Sequence, residues 1–137
     1  MKIRHMFGFA ILALLVGIAF VGCSLLGTSI DSRINQFVSS LNGDRTQTYK
    51  QLVPNSAPYN ANNGITTLWD LQFPSGEGPF SFSYISSSPY DPNDTEVTIN
   101  FQGASTTKQY KFVLQQSGLD YYIASMYVSS AGWLQVF

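Results

Sequence analysis

The spacing of apolar residues changes once along this chain, and that change limits the folds open to it. Between residues 30 and 41 the apolar side chains recur every three to four positions, as in an amphipathic helix, at Ile30, Ile34, Phe37, Val38 and Leu41. From residue 80 onward they alternate with polar residues, which is typical of strands that bury one face. Helices followed by a run of strands predict an α+β domain with its helices packed on one face of the sheet.

Turn formers and proline divide the first half of the domain into two or three helices. The first helix is predicted to begin at a capping-box-like pair, Thr28 with Asp31 three residues later, and to end at Asn42-Gly43, which tolerates positive φ. A second, shorter helix is predicted between Asp44 and Pro54.

A connection and an ambiguous segment follow these helices. Residues 55–64 are rich in turn formers and predict an irregular connection. Residues 65–73 fit either a helix or a strand, and we favour a short helix that ends at Pro74.

Four strands are predicted after the turn at residues 75–79. They centre on residues 80–84, 97–101, 110–115 and 121–128, and their connections have hairpin lengths. Residues 133–137 predict an additional edge strand. In the fourth strand, alternation places Tyr122 and Met126 on one face, opposite Tyr121 and Ile123.

The N-terminus has the pattern of an export signal. Lys2 and Arg4 precede an uninterrupted apolar run, Phe7 to Val21. The run is short for a transmembrane helix, which needs about twenty residues, and no basic flank follows it. The alternative is an uncleaved anchor helix in which Cys23 is merely a small apolar residue.

The end of this run, Phe20-Val21-Gly22-Cys23, resembles the lipobox of bacterial lipoproteins. The resemblance implies cleavage after residue 22, acylation of Cys23 with palmitate-type chains, and stable attachment to a membrane. Phe20 departs from the leucine that is usual there. Ser24, where an aspartate would retain the protein on the inner membrane, implies a cell-envelope location with the outer membrane favoured. We therefore expect a signal peptide at 1–22, a lipidated tether at 23–29 and a globular domain at 30–137.

The sequence of the domain resembles those of the small nuclear transport factor two-like or cystatin-like lipoproteins of bacteria. The resemblance rests on the order of the elements and on aromatic strand segments such as FSFSYIS and YKFVLQQSGLDYYIASMYV. It implies a curved antiparallel sheet of four to five strands that wraps the helices into a cone.

Several classes of function are excluded by what the predicted mature chain lacks. Residues 23–137 contain no histidine and no cysteine other than Cys23, so a Ser-His triad, a cysteine nucleophile and a His/Cys zinc site are absent. Five basic against eight acidic side chains give a net charge of −3, which disfavours nucleic acid as a partner. No catalytic residue, metal or other cofactor is expected.

Two carboxylate alternatives stay open from the sequence. Asp70 and Asp120 lie beside aromatic residues, and either is a candidate base for an isomerase-like enzyme, although a surface position is the simpler interpretation. The oxygen-rich stretch Asp91, Asn93, Asp94 and Glu96 suggests a calcium loop, but it departs from the loop pattern and fits a hairpin better.

The aromatic residues are the remaining positive feature. A sheet rich in tyrosine and phenylalanine predicts a domain that binds a small apolar ligand or an envelope protein. The alternative is a purely structural role in the envelope. If the cone holds a pocket, the candidate lining residues are Trp69, Tyr84, Phe101, Tyr122 and Met126.

Overall fold

A computed structural model describes residues 27–137 of the chain. The predicted signal segment 1–22, the predicted acylation at Cys23 and tether residues 24–26 lie outside these described residues. Within residues 27–137, no helix is long and apolar enough to cross a bilayer.

In the described part of the chain, residues 27–137, the helical layer comprises three α-helices and three short 3-10 helices. The α-helices are α1 (Ile30–Asn42), α2 (Ala57–Asn60) and α3 (Thr66–Gln72), and the 3-10 helices span Arg45–Gln51, Asn62–Ile65 and Ser75–Glu77. The predicted first helix and the helical reading of residues 65–73 are confirmed. The predicted second helix is a 3-10 helix instead, and α2 lies inside the segment predicted to be irregular.

The ends of α1 differ from the prediction. Ser29 is the N-cap, and its hydroxyl accepts a hydrogen bond from Ser32 N at 3.2 Å, so the predicted Thr28–Asp31 capping box is wrong. Gly43 has φ −109°, so the helix does not end on a residue with positive φ. Its N–H donates to Ser39 O at 3.0 Å, which closes the last turn.

The sheet is an antiparallel meander of five strands in the order β1-β2-β3-β4-β5. The strands are β1 (Ser81–Asp91), β2 (Asp94–Gln102), β3 (Thr107–Ser117), β4 (Asp120–Ser129) and β5 (Trp133–Gln135). Register shifts interrupt the β1–β2 and β3–β4 ladders. Such bulges bend a strand and increase its twist. The predicted α+β architecture, with helices on one face of a curved five-stranded sheet, is confirmed.

The core lies between the helices and the sheet and is dominated by aromatic rings. Phe37 of α1 packs edge-on against Trp69 of α3, with centroids 5.2 Å apart, and against Phe112 of β3 at 5.7 Å. Trp69 also meets Phe137 at 5.5 Å. Edge-to-face pairs of this kind are the arrangement that aromatic quadrupoles favour. The apolar stripe of α1 is thus anchored in the centre of the sheet.

Strand β4 contradicts the predicted alternation at one point. Ile123 and Met126 are both fully buried in the core, although they are three positions apart. Ser125 pairs with Val113 and Ile123 pairs with Leu114, which leaves Ala124 as the extra residue of a bulge. The extra residue reverses the alternation of the strand's two faces on either side of the bulge. Ile123 therefore lies on the same core face as Met126.

Candidate functional site

The two ends of the sheet carry different features. Because successive strands are antiparallel, the β1–β2 and β3–β4 turns lie at one end and the β2–β3 turn lies at the other. Thr28 is hydrogen-bonded to the end that carries the β1–β2 and β3–β4 turns. Tyr121 N donates to Thr28 O at 3.0 Å, and Thr28 N donates to Asp120 Oδ1 at 2.6 Å. The chain therefore enters the domain beside the β3–β4 turn.

A cup of about 130 Å³ opens at the opposite end, beside the β2–β3 turn. We call it the aromatic cup. Its wall combines four aromatic side chains with residues of the turn and of the segment that follows α3: Phe73, Phe80, Phe101, Tyr110, Gln72, Pro74, Glu77, Gly103, Thr106 and Lys108.

The aromatic wall of the cup is held by contacts among its own rings. The ring of Phe73 lies 4.7 Å from that of Phe101 and 5.0 Å from that of Tyr110, and Phe80 lies 5.4 Å from Phe101. All four are buried, with at most 7% of any of them exposed. Rings that already support one another need no rearrangement to receive a ligand, so the cup is preformed.

Tyr110 adds a polar group to the wall, and that group is engaged. Its hydroxyl donates to Gln72 O at 3.2 Å, across the junction between β3 and the end of α3. Burial raises the pKa of Tyr110 to about 12. The phenol is therefore neutral at physiological pH and presents mainly its ring to the cup.

Glu77 fastens one rim of the cup to the β2–β3 turn. Its carboxylate accepts hydrogen bonds from Ser105 N at 2.9 Å, from the Ser105 hydroxyl and from the Thr106 hydroxyl at 3.2 Å. Its backbone oxygen accepts from Ala104 N at 2.7 Å. The hydrogen bonds from Ser105 hold the pKa of Glu77 below its usual range. Glu77 is thus an ionised side chain whose carboxylate accepts three hydrogen bonds from the turn.

Gly103 allows this close approach of the rim to the turn. A Cβ at this position would lie 3.0 Å from Glu77 O and 3.1 Å from its carboxylate. Opposite it, Lys108 is exposed and supplies the cation at the mouth of the cup.

The residues predicted to line a pocket are not brought together. Phe101 lines the aromatic cup. Trp69 and Met126 are fully buried in the core. Tyr84 is 45% exposed and donates its hydroxyl hydrogen to Asp31 at 2.8 Å. Tyr122 lies at the opposite end of the sheet from the cup. Arg33 Cζ lies over the Tyr122 ring, 4.3 Å from the ring centroid.

The two candidate bases also lie away from the cup. Asp70 is exposed and pairs with Arg45 at 2.8 Å, on the outer side of α3. Asp120 accepts the Thr28 N–H, and this hydrogen bond lowers the pKa of Asp120. A lowered pKa makes a carboxylate a weaker base, which is the reverse of the shift that general-base catalysis at neutral pH needs.

The acidic stretch from Asp91 to Glu96 forms the β1–β2 hairpin. Asp91 pairs with Asp94 across the two-residue turn Pro92-Asn93, as the hairpin interpretation predicts. Glu96 forms an ion pair with Lys111 at 3.2 Å. Across residues 27–137, no group of three or more His, Cys, Asp or Glu side chains is arranged to hold a metal ion.

Nine of the ten cup residues were not predicted to line a pocket, and Phe73, Glu77 and Lys108 show why. Phe73 ends an ambiguous segment, Glu77 lies in a Gly/Ser/Pro turn, and Lys108 is the second residue of a strand. They meet only because the β2–β3 turn folds back on the segment after α3. The aromatic character of Phe73 and Phe80 on either side of a turn is the one local signal that could have indicated a wall.

Comparison with known proteins adds little beyond shape. No protein-family model matches the chain, and no curated protein matches it. A crystal structure of an NTF2-like protein of unknown function from Cytophaga hutchinsonii ATCC 33406 is similar, with 11% identity over 74% of this chain and 90% of that chain, and a TM-score of 0.42. Similarity at this level assigns neither a family nor an activity.

Proposed function

We propose that this chain is a lipid-anchored cell-envelope protein whose domain binds one small apolar group in the aromatic cup and does not transform it. The lipobox-like Phe20-Val21-Gly22-Cys23 supports the anchor. The observation that carries the binding function is the preformed wall of four buried aromatic rings around an open concavity. Concave sites with an apolar lining and a few fixed polar groups are the usual form of ligand sites.

The polar groups of the cup favour binding over catalysis. The Glu77 carboxylate is occupied by Ser105 and Thr106, and the Tyr110 hydroxyl donates to Gln72. The lowered pKa of Glu77 and the raised pKa of Tyr110 disfavour the first as a base and the second as an acid at neutral pH. An isomerase mechanism through Asp70 or Asp120 has no support from geometry, because neither side chain lines the cup.

The size of the cup limits what it accepts. Its volume of about 130 Å³ is below the roughly 300–1,000 Å³ of pockets that take drug-sized ligands. An apolar cavity of about 150 Å³ is known to hold a benzene molecule. The ligand therefore contributes a single ring or a branched aliphatic group, either as a small molecule or as one side chain of an envelope protein.

The position of Thr28 orients the cup with respect to the proposed anchor. Cys23 precedes Gly27 by four residues, which span at most about 14 Å. Gly27 itself packs so closely on the β3–β4 turn that a Cβ there would overlap the Leu119 carbonyl. An anchor at Cys23 would hold that end of the domain near the bilayer and leave the cup at the far end accessible.

A titration of the mature chain with toluene tests the cup. In ¹⁵N-labelled protein from residue 23 onward carrying Cys23→Ser, we expect toluene to shift the amide resonances of Gly103, Thr106 and Lys108 in a saturable manner. Thr106→Trp should block the mouth and abolish these shifts. Thr107→Trp is the matched control, because Thr107 is the next residue, at the start of β3, and is not part of the cup.

Two results would contradict the binding proposal. One is a toluene titration in which shifts are spread over the domain and do not saturate. The other is saturable binding that Thr106→Trp leaves unchanged. The spectra of both tryptophan variants away from the turn check that each remains folded.

A further inference from the structure

The sheet face that points away from the helices carries a row of large side chains, one from each strand. The row consists of Tyr90, Glu96, Lys111, Tyr127 and Trp133, which line a shallow groove of about 240 Å³. We call it the outer row. It crosses β1 to β5 in order, so four inter-strand spacings give it a length of about 19 Å.

The charges in the middle of the outer row neutralise each other. Lys111 Nζ lies 3.2 Å from Glu96 Oε1, and the two side chains are only 20% and 24% exposed. The same ammonium lies 4.6 Å from the centroid of the Trp133 ring. The centre of the groove thus offers fixed hydrogen-bond donors and acceptors but no net charge.

The ends of the outer row expose aromatic surface. Tyr90 is 55% and Trp133 is 41% exposed. Lys111 covers one side of the indole and leaves the remainder open. Tyr127, half-buried, lies between the two ends.

The sheet surface around the outer row is polar and mostly uncharged. Strand pairing places Ser83 beside Asn100 and Asn100 beside Gln109, on the positions that alternate with buried core residues. A second concavity of about 190 Å³ is lined there by hydroxyl and amide side chains together with the ring of Phe82. These uncharged hydroxyl and amide groups favour a ligand that itself carries hydroxyl groups.

These features together indicate the chemistry of a ligand. Exposed rings favour a partner with apolar C–H faces, whereas a neutral ion pair and surrounding amides favour hydroxyl groups. The absence of net charge in the row argues against phosphates and acidic peptides as ligands. A pyranose combines C–H groups on the faces of its ring with hydroxyl groups around its edge.

We propose that the outer row binds a neutral polysaccharide, with sugar rings stacked on Trp133 and Tyr90 and hydroxyl groups hydrogen-bonded to Lys111 and Glu96. The length of the row suits several consecutive sugar units. This site lies on the outer face of the sheet and shares no residue with the aromatic cup, so it goes beyond the proposed function and stands or falls independently.

Co-sedimentation of the detergent-extracted protein with three uncharged polysaccharides, chitin, cellulose and an insoluble β-1,3-glucan, tests this proposal. We expect the protein to pellet with at least one of these polymers. Titration with the soluble hexasaccharide of the polymer bound should change tryptophan fluorescence, because Trp133 is exposed whereas Trp69 is fully buried.

Variants of the outer row give the decisive comparison. Measured by isothermal titration calorimetry, Trp133→Ala and Tyr90→Ala should each weaken hexasaccharide binding at least tenfold while the thermal unfolding midpoint stays within a few degrees. Leu134→Ala is the matched control, since Leu134 is 58% exposed on the same short strand but is not in the row. Its affinity should equal that of the unaltered protein.

The binding should also be insensitive to salt, because an uncharged ligand releases no counterions. No retention on any of the three polymers would overturn the proposal. So would equal affinity in Trp133→Ala, a loss of affinity of tenfold or more between 50 mM and 500 mM NaCl, or photocrosslinks from position 133 exclusively to an envelope protein.

Discussion

The side-chain amide of Asn42 forms two hydrogen bonds with the backbone of Phe80. Its Oδ1 accepts from Phe80 N at 2.7 Å, and its Nδ2 donates to Phe80 O at 2.8 Å. Asn42 is the last residue of α1, and Phe80 directly precedes β1. One amide thus joins the helical layer to the edge strand by the same pair of bonds that two paired strands exchange. Because the ring of Phe80 lines the aromatic cup, Asn42 also positions part of its wall.

Replacing Asn42 should measurably destabilise the domain. Asn42→Ala removes both bonds to Phe80, and we expect the free energy of unfolding to fall by about 1–2 kcal/mol. Urea unfolding followed by circular dichroism measures this. Asn60→Ala is a suitable control, because Asn60 makes one exposed hydrogen bond to Asn55 O at 3.0 Å, and its loss should cost no more than about 0.5 kcal/mol. Equal midpoints for the two variants would contradict the role of Asn42.

Arg33 should resist even a conservative substitution. It is 6% exposed, and its guanidinium donates from Nε to Tyr121 O and from Nη1 to Gln51 Oε1 at 2.7 Å. A lysine cannot present this planar fork, so we expect Arg33→Lys to lower the free energy of unfolding by about 1–3 kcal/mol. The reverse exchange at an exposed site, Lys50→Arg, should leave stability unchanged. An Arg33→Lys variant as stable as the unaltered protein would show that the fork is dispensable.

Acid should destabilise the fold through Asp120 and Glu77. Hydrogen bonds from Thr28 and Ser105 hold their folded-state pKa values below the ordinary values of 3.8 and 4.5. In acid the unfolded chain therefore binds more protons than the folded one. The two carboxylates contribute their full stabilisation at a pH above their ordinary pKa values. This stabilisation is lost as the pH falls through their folded-state pKa values.

The variant Asp120→Asn isolates one of these groups. Its amide oxygen can still accept the Thr28 N–H, but it does not titrate. We expect the urea midpoint of the unaltered protein to be constant between pH 7 and pH 5.5 and to fall below about pH 4.5. The decline should be shallower in Asp120→Asn. Identical slopes in the two proteins would exclude Asp120 as a contributor.

The elements that follow from local periodicity could be predicted from the sequence. The stripe from Ile30 to Leu41 places α1 on the sheet because its side chains share one helical face; four of its five residues are buried and Ile30 is partly buried. The alternation of Tyr110, Phe112 and Leu114 likewise identifies the core face of β3. These patterns depend on neighbours a few residues apart, which the sequence records directly.

Features that depend on distant contacts could not be predicted in this way. The bulge at Ala124 arises from the register between β3 and β4, so simple alternation puts Ile123 on the wrong face. The sequence predicts Asn42 only as the end of a helix. In the structure its side-chain amide is hydrogen-bonded to the backbone of Phe80, 38 residues further along and directly before β1. The cup follows from the return of the β2–β3 turn onto Glu77, and no spacing within either segment indicates that contact.

The intact mass of the protein extracted from membranes of its native host tests the lipid anchor most directly. We expect a chain that begins at Cys23, lacks residues 1–22 and carries a diacylglyceryl group with or without a further acyl chain. Cys23→Ala should remain unprocessed and unacylated. An unmodified full-length chain in the membrane extract would contradict the lipid anchor on which the proposed function rests.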